Sequence, residues 1–158
     1  MIAVENCPLI VAHAPLASAL RAVALHAFSE CSSEVGALDI AADRTLEAAI
    51  EDVRRTLQAQ SGRPVLVLVD VHGATPGNAL QAVLGEFPNA RAVAGVNLPM
   101  LWRSLCYRRD DLDEWQERAV AGGGRGECGP GNSDFRAHEV AARGLVGDDA
   151  GQRARGLC

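Results

Sequence analysis

Five consecutive apolar residues, Val65-Leu66-Val67-Leu68-Val69, closed by Asp70, constrain this chain more than any other stretch. A run this short is strand-length, and it is apolar at every position rather than at every second one. Such a strand has to be covered on both faces, which is the situation in the middle of a parallel sheet flanked by helices. The pattern predicts a strand over 64–70. Shorter apolar runs repeat the motif. Leu9-Ile10-Val11-Ala12, ended by His13, predicts a strand over 8–12; two more are predicted over 35–41 and 91–96.

Helical spacing fills the intervals. Leu16, Leu20, Val23 and Ala27 follow Pro15, a residue suited to a first helical turn. Leu46, Ile50, Val53 and Leu57 mark a helix from about Thr45 to Gln60, stopped by Ser61-Gly62. Thr75 is read as the N-cap of a third helix, with Pro76 as its first residue and Leu80, Val83 and Leu84 on its apolar face. Asn97-Leu98-Pro99 opens a fourth, with Leu101 and Leu105 four apart. Cys106 is expected to be buried beside Leu105. Asp111-Leu112-Asp113-Glu114 reads as a capping box for a last helix ending near Ala121. Trp102 and Trp115 are expected to be packing anchors, and His26 an exposed or capping helix residue.

Gly122-Gly123-Gly124 is read as the stop of that helix. Ten of the 16 glycines lie from Gly122 onward. The domain division expected is therefore 1–121 as the folded unit and 122–158 as a Gly-rich tail, with a short helix over 135–142 as its one local feature. Strand–helix alternation through four strands implies an open, doubly wound α/β sheet of four parallel strands, with right-handed crossovers and helices on both faces. The strand order expected is 2-1-3-4.

Composition narrows the chemistry. The formal net charge is -5, so the chain lacks the basic face that nucleic-acid binding needs. All 15 basic residues are Arg. With no Lys there is no Walker-type phosphate loop and no Schiff base. Five cysteines without a C-x-x-C pair predict neither a zinc site nor a secreted disulfide framework. The N-terminal segment has no basic, apolar leader pattern, and no apolar stretch is long enough to span a bilayer. A reduced cytoplasm is the expected compartment.

In an open α/β sheet of order 2-1-3-4, ligands bind at the carboxyl ends of strands 1 and 3, where the winding direction switches. His13 and Asp70 end those two strands. A carboxylate that accepts from imidazole Nδ1–H leaves Nε2 as a lone-pair nucleophile, and it stabilises the positive charge that builds on the ring. Near the same mouth, Gly73-Ala74-Thr75 leads into a helix N-terminus, whose free N–H groups and dipole suit a phosphoryl group. His72 is the neighbouring ring. Ser18 lacks a nucleophile-elbow motif, so a hydrolase triad is not indicated.

Three segments carry a resemblance. They are Ile10-Val11-Ala12-His13-Ala14-Pro15-Leu16, then Val67-Leu68-Val69-Asp70-Val71-His72-Gly73-Ala74-Thr75-Pro76-Gly77-Asn78, then Ala94-Gly95-Val96-Asn97-Leu98-Pro99-Met100-Leu101. In that order they resemble the enzyme IIA component of mannose-family sugar phosphotransferase systems (PTS), over residues 8 to about 125. The resemblance implies a phosphohistidine carrier in which His13 is phosphorylated, Asp70 orients it, and Gly73, Ala74 and Thr75 hold the phosphate. It implies phospho-HPr as donor, a IIB component as acceptor or a regulatory protein as reader, a homodimer, and no metal, cofactor or membrane insertion. The related phosphocarrier subunit of dihydroxyacetone kinase systems is the alternative, alongside an α/β ligand-binding module without phosphotransfer. His72 stands where the family usually has Trp or Phe, which favours a packing role over a second phosphoacceptor. Glu127-Cys128-Gly129-Pro130-Gly131-Asn132 stands where the family has an apolar strand that can swap across a dimer, and it is poor strand material.

Overall fold

The computed structural model describes residues 6–29 and 34–125. The expected helix over 135–142, the Glu127–Asn132 run, and Cys31, Cys128 and Cys158 lie outside the described residues. The elements run β1 (Cys7–His13), α1 (Leu16–Ala27), β2 (Gly36–Ile40), α2 (Leu46–Gln58), β3 (Val65–Val69), α3 (Thr75–Val83), a 3-10 turn (Leu84–Glu86), β4 (Ala90–Ala94), α4 (Leu98–Cys106) and α5 (Leu112–Arg125). The four strands are parallel and lie in the order β2-β1-β3-β4. This is the order expected from the alternation of elements.

The unbroken apolar strands divide their side chains between two layers. Leu9, Val11, Val65, Val67 and Val69 pack with Val53 and Leu57 of α2 and Leu80 and Val83 of α3. Ile10, Ala12, Leu66 and Leu68 pack on the other face with Ala17 and Ala24 of α1, Leu101 and Leu105 of α4 and Trp115 of α5. All five residues of β3 are buried, as a central strand covered on both sides requires.

Helix starts follow their capping chemistry. Thr45 Oγ1 accepts from the Ala48 N–H at the head of α2, and Asn97 Oδ1 accepts from the Met100 N–H at the head of α4. Asp111 Oδ1 accepts from the N–H groups of Asp113 and Glu114 at the head of α5.

Four local expectations need correction. Helix α5 does not stop at Gly122; it runs through all three glycines to Arg125. The reason is close packing. A Cβ at Gly122 would run into the Arg103 side chain and lie 3.2 Å from the Pro99 carbonyl, and one at Gly123 would lie 2.5 Å from Met100 Cε. These glycines let α5 press onto α4, and the tertiary contact overrides their low helix propensity. Thr75 is not the N-cap of α3. Ala74 holds that position in extended geometry, and Thr75 is the first helical residue. In α1 the fully buried residues are Ala17 and Ala24, with Leu20 packed against the core as expected but Leu16 and Val23 exposed, because small side chains set that helix close to the strands. Cys106 is exposed: α4 buries Met100, Leu101, Ser104 and Leu105, and the next residue falls about 100° further round the helix.

Trp115 is fully buried, and its indole N–H donates to the Ser104 carbonyl at 2.8 Å. Trp102 is half exposed and meets the Phe28 ring edge-on, with centroids 4.1 Å apart.

Candidate functional site: a histidine–aspartate pair at the sheet switch point

The register of β1 and β3 sets the site. Val11 pairs with Val69, so His13 and Asp70 leave the sheet side by side at the carboxyl ends of the two central strands. The chain beyond each is tied down. Ala14 N–H donates to the Ile40 carbonyl at 2.9 Å ahead of a cis Ala14–Pro15 bond. Gly95 N–H donates to the Asp70 carbonyl at 3.1 Å, and Val96 N–H to the Val69 carbonyl at 2.9 Å. Gly95 has φ +86°, in the left-handed region where glycine is at home.

The Asp70 carboxylate accepts three N–H groups. His13 ring Nδ1 lies 2.6 Å from Oδ2, the His13 backbone N–H donates to the same oxygen at 2.8 Å, and the Val71 backbone N–H donates to Oδ1 at 2.7 Å. Burial pushes the Asp70 carboxyl up, but the backbone and ring bonds from His13 and the backbone bond from Val71 together outweigh it and hold the group below its ordinary value. Asp70 is therefore ionised near neutrality. An ionised carboxylate only accepts, so Nδ1 carries the proton and the lone pair of the neutral ring is on Nε2. The His13 side chain is 45% exposed and that of Asp70 11%, so the carboxylate is fixed in the protein while the ring reaches into the mouth.

The other residues singled out in the sequence sit around this pair. Gly73, at φ +86°, turns the chain into Ala74 and Thr75 at the head of α3. Thr75 is half-buried. Asn78 Nδ2 donates to the Gly73 carbonyl at 3.3 Å, which steadies the turn. No side chain caps α3. His72 is exposed and lines, with Leu80, Gln81, Leu84 and Ala92, a groove of about 240 Å³ beside α3 and β4. Among the described residues there is no group of three or more His, Cys, Asp or Glu side chains placed to hold a metal, and no helix long and apolar enough to cross a membrane.

Sequence reasoning missed Asp39. This β2 residue, opposite Ala12 of β1, accepts the Ser18 backbone N–H on Oδ1 at 3.1 Å, in the first turn of α1. Its only signal in the sequence is an acidic residue inside an otherwise apolar strand.

The protein is thus a doubly wound α/β domain with an Asp-bonded imidazole open at its switch point, the place where open sheets of this kind bind ligands. A family model described as the PTS system fructose IIA component (EIIA-man) matches residues 8–119, and the chain belongs to this mannose-type enzyme IIA family. The PTS system mannose-specific EIIAB component of Escherichia coli K12 is 35% identical over 95 residues, 58% of this chain and 29% of that protein. The match thus spans under a third of that relative's length. The mannose/sorbose-specific IIA subunit from Enterococcus faecalis is a structural neighbour, with TM-score 0.73 and 21% identity over 83% of this chain and 98% of that one. The EIIA component from Streptococcus agalactiae has TM-score 0.65 and 23% identity over 78% and 96%. At these identities the two structures speak for the fold.

Proposed function

We propose that this protein is a cytoplasmic phosphohistidine carrier that accepts a phosphoryl group on Nε2 of His13 from phospho-HPr. It then passes the group to a IIB component or presents it as a regulatory signal. The observation that carries the reading is the 2.6 Å Nδ1–Asp70 bond, which leaves Nε2 as the one nucleophilic position of an exposed ring. The family membership supports the same chemistry.

In the proposed step the phosphorus–nitrogen bond of the donor's phosphohistidine breaks as a phosphorus–nitrogen bond to His13 Nε2 forms. The donor imidazole leaves with the electron pair of the broken bond. The Nδ1 proton stays between His13 and Asp70, whose negative charge offsets the charge developing on the ring. Catalysis of this kind is mostly positioning and electrostatics. The N–H groups of Gly73, Ala74 and Thr75, with the uncapped head of α3, are the proposed seat of the phosphoryl oxygens. The proposed folded unit is the phosphocarrier domain, and the proposed assembly is a homodimer.

Incubation with phosphoenolpyruvate, enzyme I and HPr tests this directly. The protein should gain one acid-labile phosphate, and His13→Ala should abolish it. Asp70→Ala should slow labelling by about 10²-fold or more, the scale for losing an orienting partner. An unlabelled wild type sinks the reading, and an unchanged Asp70→Ala rate removes Asp70 from the mechanism.

A further inference from the structure

Two helices begin at the mouth that holds His13, and they differ in one respect. Helix α1 starts three residues after His13, and the Asp39 carboxylate from β2 accepts the Ser18 N–H of its first turn at 3.1 Å. Helix α3 starts five residues after Asp70; neither helix is capped by its own N-cap side chain, and among the described residues no carboxylate accepts from the first turn of α3 as Asp39 does from that of α1. A helix head with free N–H groups attracts an anion; one already holding a carboxylate has its donor engaged and its positive end neutralised. The register puts Asp39 opposite Ala12, the residue before His13.

We propose that Asp39 is a positioning residue for the phosphoryl group: its carboxylate closes the α1 head and directs the group on His13 Nε2 towards the α3 head. The proposal rests on phosphorylation of His13. It carries an energetic consequence. A fixed negative charge near a dianionic phosphoryl group raises the free energy of the phosphorylated form, while its bond to α1 is common to both forms and cancels from the balance. Asp39 thereby makes the phosphohistidine a better donor. In the exchange, the bond from phosphorus to the HPr ring breaks as the bond to His13 Nε2 forms; Asp39 exchanges no atom and acts only on the balance between the two.

The experiment is the equilibrium distribution of phosphate between HPr and this protein, with catalytic enzyme I and limiting phosphoenolpyruvate. Asp39→Asn keeps an oxygen for the Ser18 N–H and removes the charge. It should shift the equilibrium towards the phosphorylated protein by roughly three- to tenfold, the size expected for one partly screened charge at close range, and the shift should shrink as salt is raised. Asp39→Glu should stay near wild type, and Asp39→Ser provides a second neutral variant where the amide folds poorly. A purely structural role for Asp39 would lower thermal stability without favouring the phosphorylated form. If wild type is labelled on His13 and the neutral variants leave the equilibrium unchanged or move it towards phospho-HPr, the Asp39 proposal is overturned alone. If wild type takes no phosphate on His13, both readings fall.

Discussion

At the scale of single residues, Asp70 connects stability to function. Its lowered pKa means that the folded protein binds the proton more weakly than the unfolded chain does. The stabilisation this brings is complete above the ordinary carboxyl value of 3.8 and is lost as pH falls through the lower folded value. The thermal midpoint of wild type should therefore exceed that of Asp70→Asn near neutrality, and the margin should shrink as the solution is made more acidic than the ordinary carboxyl value. A margin independent of pH down to 2 would mean that the three N–H donors around Asp70 do not favour its ionised form. Both members of the pair are legible in the sequence, because each ends a strand that its apolar run defines and the strand order brings the two ends together. Asp39 is not, since its bond to Ser18 crosses from β2 to α1 and has no local signature.

Elements show where local propensity governs and where packing overrules it. The strands are readable because β3 is apolar at every position, a pattern that only a doubly covered strand makes favourable. Thr45, Asn97 and Asp111 begin helices as their side chains predict. The end of α5 is not readable in the same way, because Gly122-Gly123-Gly124 has a stop signal's composition, and the contact with Arg103 and Met100 that keeps it helical comes from a different element. The three glycines should respond differently to substitution. Gly122→Val forces a branched side chain into Arg103 and should cost about 1–3 kcal/mol. A Cβ at Gly124 would meet nothing within 4 Å, so Gly124→Ala should stabilise by roughly 0.5 kcal/mol or slightly more. Chemical denaturation of the two variants checks the contrast, and equal effects would refute the packing explanation.

At the scale of the molecule, both core layers are built, among the described residues, from residues before Arg125, and the family match spans 8–119. Helix α5, expected to end near Ala121, reaches Arg125. A chain ending at Arg125 should melt cooperatively and accept phosphate on His13 at a rate within about twofold of the full chain, since a change of that size corresponds to under ~0.5 kcal/mol in the barrier. Loss of labelling on truncation would place part of the carrier's machinery in 126–158.

The most direct test of the account is to phosphorylate protein carrying ¹⁵N-labelled histidine and read the imidazole nitrogens by NMR. The phosphorus should couple to Nε2 of His13, with Nδ1 still protonated against Asp70. Phosphate on Nδ1 of His13, or on His72, would contradict it.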